Sequence, residues 1–226
     1  MVSFKVVISA LAAGSIQFAS AIVVPDGGVT PHDQYSSSVG VLGCKIDTNR
    51  VAYWREEVDC DNICVEVTAN NRSVTLLKID HSGGAYDISF DAWHYLAWGD
   101  PAIEGKTRSG GHLAADYKFV PNENCRHLIH TASGKLPLMA ANSMNFVSQC
   151  KVPGGPRTWV GENFEMWNIA NAVCMYGVDE VCAYPDVSNG YNQPICPSGL
   201  GNNAILEGHE VWNIWYPSGK LAKALG

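Results

Sequence analysis

The chain has 226 residues, with 15 Lys and Arg against 22 Asp and Glu, a formal net charge of −7. No basic run occurs anywhere along it. That excludes the clustered cations that neutralise nucleic-acid phosphates or dock on anionic membranes. Few residues are charged, 16%, while Gly numbers 22 and Trp 7, a balance closer to a loop-rich extracellular β protein than to a helical cytosolic one.

Residues 1–21 have the three parts of an export signal. Lys5 supplies the positive start, residues 6–13 are apolar except for Ser9, and Ala19-Ser20-Ala21 is a small-residue cleavage pattern. The apolar run is too short to cross a bilayer of about 30 Å as a helix. The expectation is a secreted, extracellular chain that begins at Ile22 and does not insert into membranes. Cys44, Cys60, Cys64, Cys125, Cys150, Cys174, Cys182 and Cys196 all lie in that mature part. An even number in an oxidising compartment predicts four disulfides, whose pairing the sequence leaves open. No C-x-x-C pair is present, so zinc ligation is not expected. His127 and His130 lack the His-Glu-x-x-His context of a metal helix, so neither a metal nor another cofactor is predicted.

In chain order, residues 22–40 are rich in Gly, Ser and Pro and read as a flexible arm. A core is expected over residues 41–150. Residues 50–54 and 64–68 read as strands, Asn70-Asn71-Arg72 as a turn, and residues 73–79 as a buried strand. The Ser82-Gly83-Gly84 break follows. Residues 89–98 read as a short helix, with Ser89 as N-cap, Asp91 near its positive end and Gly99 just past its last turn. Residues 117–120 are a further strand. Residues 128–129 and 144–147 read as a second strand pair. Residues 151–226 form a disulfide-tied C-terminal extension packed on the core. Its two phrases Phe164-Glu165-Met166-Trp167-Asn168-Ile169 and Glu210-Val211-Trp212-Asn213-Ile214 are candidates for paired strands.

The stretch 72–99 runs through a buried strand ending in Asp80, a loop with Gly83-Gly84, then Asp87-Ile88-Ser89 and a helix. This phrase resembles the double-psi β-barrel superfamily, which includes barwin, expansins, RlpA-like bacterial wall proteins and family-45 endoglucanases. The resemblance implies a mainly β fold, a six-stranded double-psi barrel with short helices. Its overall look is that of a secreted fungal protein of the cell-wall-associated or virulence-effector type. The loop cysteines common in expansins are absent here, and Ala85-Tyr86-Asp87 stands where a His-Phe-Asp triplet is usual.

The resemblance makes Asp80 and Asp87 the leading site residues. Two carboxylates across a sugar are what glycoside hydrolysis needs, and Tyr53, Trp54 and Tyr86 are candidate sugar-stacking partners. The competing reading is structural, because Asp at a strand end accepts N–H bonds from the loop that follows. The missing His beside Asp87 argues against an enzyme, and the expectation is a non-catalytic monomer that acts at a cell wall or host surface, binding polysaccharide or a secreted host protein. The alternatives are a glycan-cleaving hydrolase using Asp80 and Asp87, and a secreted protease inhibitor. Among the seven tryptophans, Trp93 and Trp98 are expected in the core, with Trp54 and Trp159 freer. Ser143 lacks the nucleophile elbow of a serine hydrolase. Asn71-Arg72-Ser73 is a glycosylation sequon in a predicted turn.

Overall fold

The computed structural model describes residues 20–25 and 27–225. Most of the expected export signal therefore lies outside the described residues. Among them no helix is long and apolar enough to cross a membrane.

The chain is mainly β. It opens with β1 (Ile22–Val23), β2 (Thr30–His32), β3 (Val51–Trp54), β4 (Cys64–Ala69), β5 (Arg72–His81) and β6 (Asp87–Ser89). Helix α1 (Phe90–Trp98) follows, then β7 (Asp116–Phe119). These seven strands form one sheet in the order β1-β7-β4-β5-β3-β6-β2. The β4–β5 hairpin turns at Asn70 and Asn71, with φ of 50° and 59°. Asn tolerates this left-handed region best among residues with a side chain beyond glycine. Two pairings are parallel, β3 with β5 and β2 with β6.

A six-stranded barrel, closed or partly closed, is expected; the sheet has seven strands and is not a closed barrel. The order has two ends, β1 and β2, and the strands do not close. An isolated antiparallel bridge between Val29 and Leu113 links the segment before β2 to the segment before β7. Residues 22–40 are likewise not a flexible arm. They supply β1 and β2, and Val24, Val29 and Tyr35 are buried. Polar composition misleads there because short edge strands need few apolar residues.

Helix α1 begins after Ser89 and ends at Gly99, which adopts φ 89°. Ser89 does not cap it through its side chain. Its hydroxyl donates to the Thr48 carbonyl (2.8 Å) and accepts the Val51 N–H (3.0 Å), joining the helix start to β3.

Beyond β7 the second strand pair is also corrected. Leu128 ends a 3-10 helix (Asn122–Leu128), and residues 144–147 lie in helix α2. The strand in this region is β8 (Leu136–Met139), followed by α2 (Met144–Cys150) and α3 (Trp159–Glu162). Strands β9 (Phe164–Ile169) and β10 (Gly177–Cys182) pair with it in the order β10-β9-β8. The C-terminal region is thus continuous with residues before 150 through the parallel β8–β9 ladder. Strands β11 (Trp212–Trp215) and β12 (Lys220–Lys223) form a separate hairpin. The two Trp-Asn-Ile phrases therefore belong to different sheets.

All eight cysteines are paired, as Cys44–Cys174, Cys60–Cys150, Cys64–Cys125 and Cys182–Cys196. Strand β3 divides the interior. Val51 and Tyr53 join a core shared with β8, β9 and α2, while Ala52 and Trp54 join a core shared with β4, β6, β7 and α1. Four consecutive buried residues, Val-Ala-Tyr-Trp, follow from cover on both faces.

Candidate functional site

The loop after β5 was the expected site, and its acids are held by the chain itself. Asp80 is 8% exposed. Its carboxylate accepts the Ser38 N–H (2.7 Å), the His81 N–H (2.8 Å) and the Ser36 hydroxyl (2.5 Å). The Ser37 hydroxyl donates to the Ile79 carbonyl at 2.8 Å. Residues 36–38 are thereby fastened to the end of β5. Asp87 accepts the Thr30 hydroxyl on one oxygen and the Ser82 hydroxyl on the other (3.3 Å). It joins β2 to the loop. Arg55 donates to the Gly84 carbonyl through Nε (3.1 Å) and a terminal nitrogen (2.6 Å), so the glycine turn is pinned as well.

The aromatic residues expected beside these acids lie inside the protein. Tyr53 packs on His32 with ring centroids 4.3 Å apart. Burial, then the negative charge of Asp80, pushes its phenol well above the usual tyrosine range. Trp54 is 0% exposed and meets Tyr86 and Tyr117 edge-on, at 5.3 and 5.5 Å. Its indole N–H has no hydrogen-bond partner. Tyr86 is buried and donates to Glu56 at 2.5 Å; burial first, and this bond second, raise its phenol.

The expected open groove of Tyr53, Trp54, Asp80, Tyr86 and Asp87 is therefore not formed. Asp87 lies opposite Tyr53 in the β3–β6 register, hence on the Tyr53 face, while Trp54 points the other way. Adjacent residues of one strand cannot line one groove, and both faces of β3 are covered.

The most exposed tryptophans stand at the C-terminal hairpin instead, Trp212 at 51% and Trp215 at 44%. Trp98, expected in the core, is 40% exposed, with the Arg108 guanidinium 5.0 Å from its ring. Trp159 is half-buried and its indole N–H donates to Glu123 (3.3 Å). A sequence signal for the hairpin existed. Tyr216-Pro217-Ser218-Gly219 is a turn phrase between two short runs, and runs with no hydrophobic alternation favour neither face for burial.

Elsewhere, Ser143 is buried and donates to the Val39 carbonyl at 2.9 Å. Among the described residues no group of three or more His, Cys, Asp or Glu side chains is placed to hold a metal ion. Asn71 is exposed at the β4–β5 turn, open to a modifying enzyme. An opening of about 550 Å³ near the hairpin runs between residues 173–176 and 205–210. Comparison with protein-family models, with curated proteins and with solved structures finds no match for this chain.

Proposed function

We propose that this chain is a secreted, non-catalytic protein that binds polysaccharide at a cell wall, built on a sheet of the double-psi type. One observation carries the reading. The two acids that could cleave a glycan are occupied in joining strands, whereas large aromatic side chains stand in solvent on the C-terminal hairpin. A hydrolase needs one acid free to protonate a leaving oxygen and a second free to attack or to activate water. Here both carboxylates accept bonds from the segment 30–38. Binding needs only aromatic faces and polar groups open to the sugar.

Export is supported by four disulfides with no free cysteine, the pattern of an oxidising compartment. The double-psi assignment is supported by the parallel β3–β5 and β2–β6 pairings and by the Val29–Leu113 bridge, which ties the segment before the edge strand β2 to the segment before β7.

The test is retention on insoluble cellulose, chitin and β-glucan, with reducing ends measured in the supernatant. Retention without sugar release is the expected result. Release of reducing ends that Asp87→Asn abolishes would make the protein a hydrolase.

A further inference from the structure

The C-terminal hairpin carries a local charge opposite to that of the chain. From Val211 to Leu225 it has Lys220 and Lys223 and no acid, in a protein with seven more acids than bases. Register sorts its side chains. Trp215 lies opposite Lys220, with Ala222 on the same face, and Trp212 lies opposite Lys223 on the other. On the Trp212 face the cation is paired, since Lys223 reaches Glu210 at 3.5 Å. On the Trp215 face Lys220 has no ionic partner among the described residues, and no ring or cation covers Trp215 there. Trp215, Tyr216, Ser218, Lys220 and Ala222 line an open trough of about 400 Å³.

The trough is held rigid from below. The Tyr216 hydroxyl donates to the Gly110 carbonyl and accepts the Gly110 N–H at 3.1 Å. Its ring packs edge-on against Phe90 at 5.2 Å. The Thr107 hydroxyl donates to the Pro217 carbonyl (2.7 Å), and the Gly219 N–H closes the turn on the Trp215 carbonyl (2.8 Å). A preformed surface loses little freedom on binding.

We infer that this trough binds an acidic sugar, a hexuronate unit of a polysaccharide, with its ring on Trp215 and its carboxylate at Lys220. The inference rests on the polysaccharide-binding reading and names the sugar class and the site. A flat indole suits the apolar face of a pyranose ring. An exposed ammonium supplies the counter-charge to a carboxylate, and the Ser218 hydroxyl, which donates to the Trp215 carbonyl (3.4 Å) and accepts the Lys220 N–H (3.2 Å), keeps a lone pair that can accept a sugar hydroxyl. A shallow, open trough accepts one unit of a continuing chain from either side.

The test measures binding of the full secreted protein to polygalacturonate, to the same polymer after carboxyl reduction, to neutral β-glucan and to poly-glutamate, at low salt. Polygalacturonate should bind best and weaken as salt is raised. Trp215→Ala and Lys220→Glu should each lose at least tenfold in affinity, Lys220→Arg should retain it, and Trp98→Ala, an exposed tryptophan that does not line the trough, should match the parent. Lys220 is exposed, so its variants separate a lost contact from a lost fold. Equal binding to poly-glutamate, or affinity unchanged in both Trp215→Ala and Lys220→Glu, overturns the site. Retention on neutral β-glucan with none on polygalacturonate overturns the acidic-sugar assignment while the polysaccharide reading stands. No retention on any polymer overturns both.

Discussion

Replacing Asp80 with Ala should destabilise the protein by about 2–4 kcal/mol. The side chain accepts three hydrogen bonds, from Ser36, Ser38 and His81. A bond to a charged acceptor contributes about 1.5–3 kcal/mol, which bounds the sum near 5–9 kcal/mol. Ser36, Ser38 and His81 are exposed, so water replaces part of what each donor loses, and the lower figure follows. Urea unfolding followed by circular dichroism at neutral pH measures the change. Limited proteolysis should show faster cutting near residues 33–38, because the carboxylate is what fastens that segment to β5. Asp80→Asn keeps one acceptor oxygen and should lose about half as much. A loss below about 0.5 kcal/mol in Asp80→Ala, with unchanged proteolysis, would refute the structural role of this acid.

Further outcomes follow from other parts of the fold. Burial works against the Asp59 carboxylate, but the N–H groups of Asn62 and Asp61 and the Lys78 ammonium together hold its pKa below the usual carboxylate value. Its stabilisation is complete above the unfolded value, about pH 4, and is lost as pH falls through the lower folded value; Asp59→Asn should flatten the loss of stability seen on acid titration. Removing Cys44–Cys174, which spans 130 residues, should cost roughly 4–5 kcal/mol, against roughly 3 for Cys182–Cys196, which spans 14, as unfolding of the paired Cys→Ala variants reads directly. Protein secreted from a eukaryotic host should carry one glycan at Asn71, and Asn71→Gln should lose that mass in intact-mass spectrometry.

Local signals with a single mechanism were legible in the sequence. Ser89 and Gly99 bound helix α1, two Asn residues turn the β4–β5 hairpin, and residues 73–79 lie within β5 as a buried strand. The misreadings came from segments whose burial is decided at a distance. Residues 22–40 are polar, yet Asp80 and Asp87, more than forty residues downstream, hold them in place. Residues 144–147 are too short for a helical period to separate from a strand, and the structure makes them the start of α2. Trp54 reads as a groove residue because nothing within β3 says that both its faces are covered. The hairpin that exposes Trp215 packs on the body through Tyr216 and Asn213, a contact no local pattern encodes.

Holding a glycan and leaving it uncut are read by one experiment. Parent, Asp87→Asn and Trp215→Ala proteins, each shown to be folded by its melting transition, are incubated with an insoluble wall preparation rich in uronic acid. Bound protein and newly formed reducing ends are measured on the same samples. The expected result is no sugar release by any of the three, equal retention of the parent and Asp87→Asn, and loss of retention in Trp215→Ala. Sugar release by the parent that vanishes in Asp87→Asn, with Trp215→Ala still retained, would contradict it.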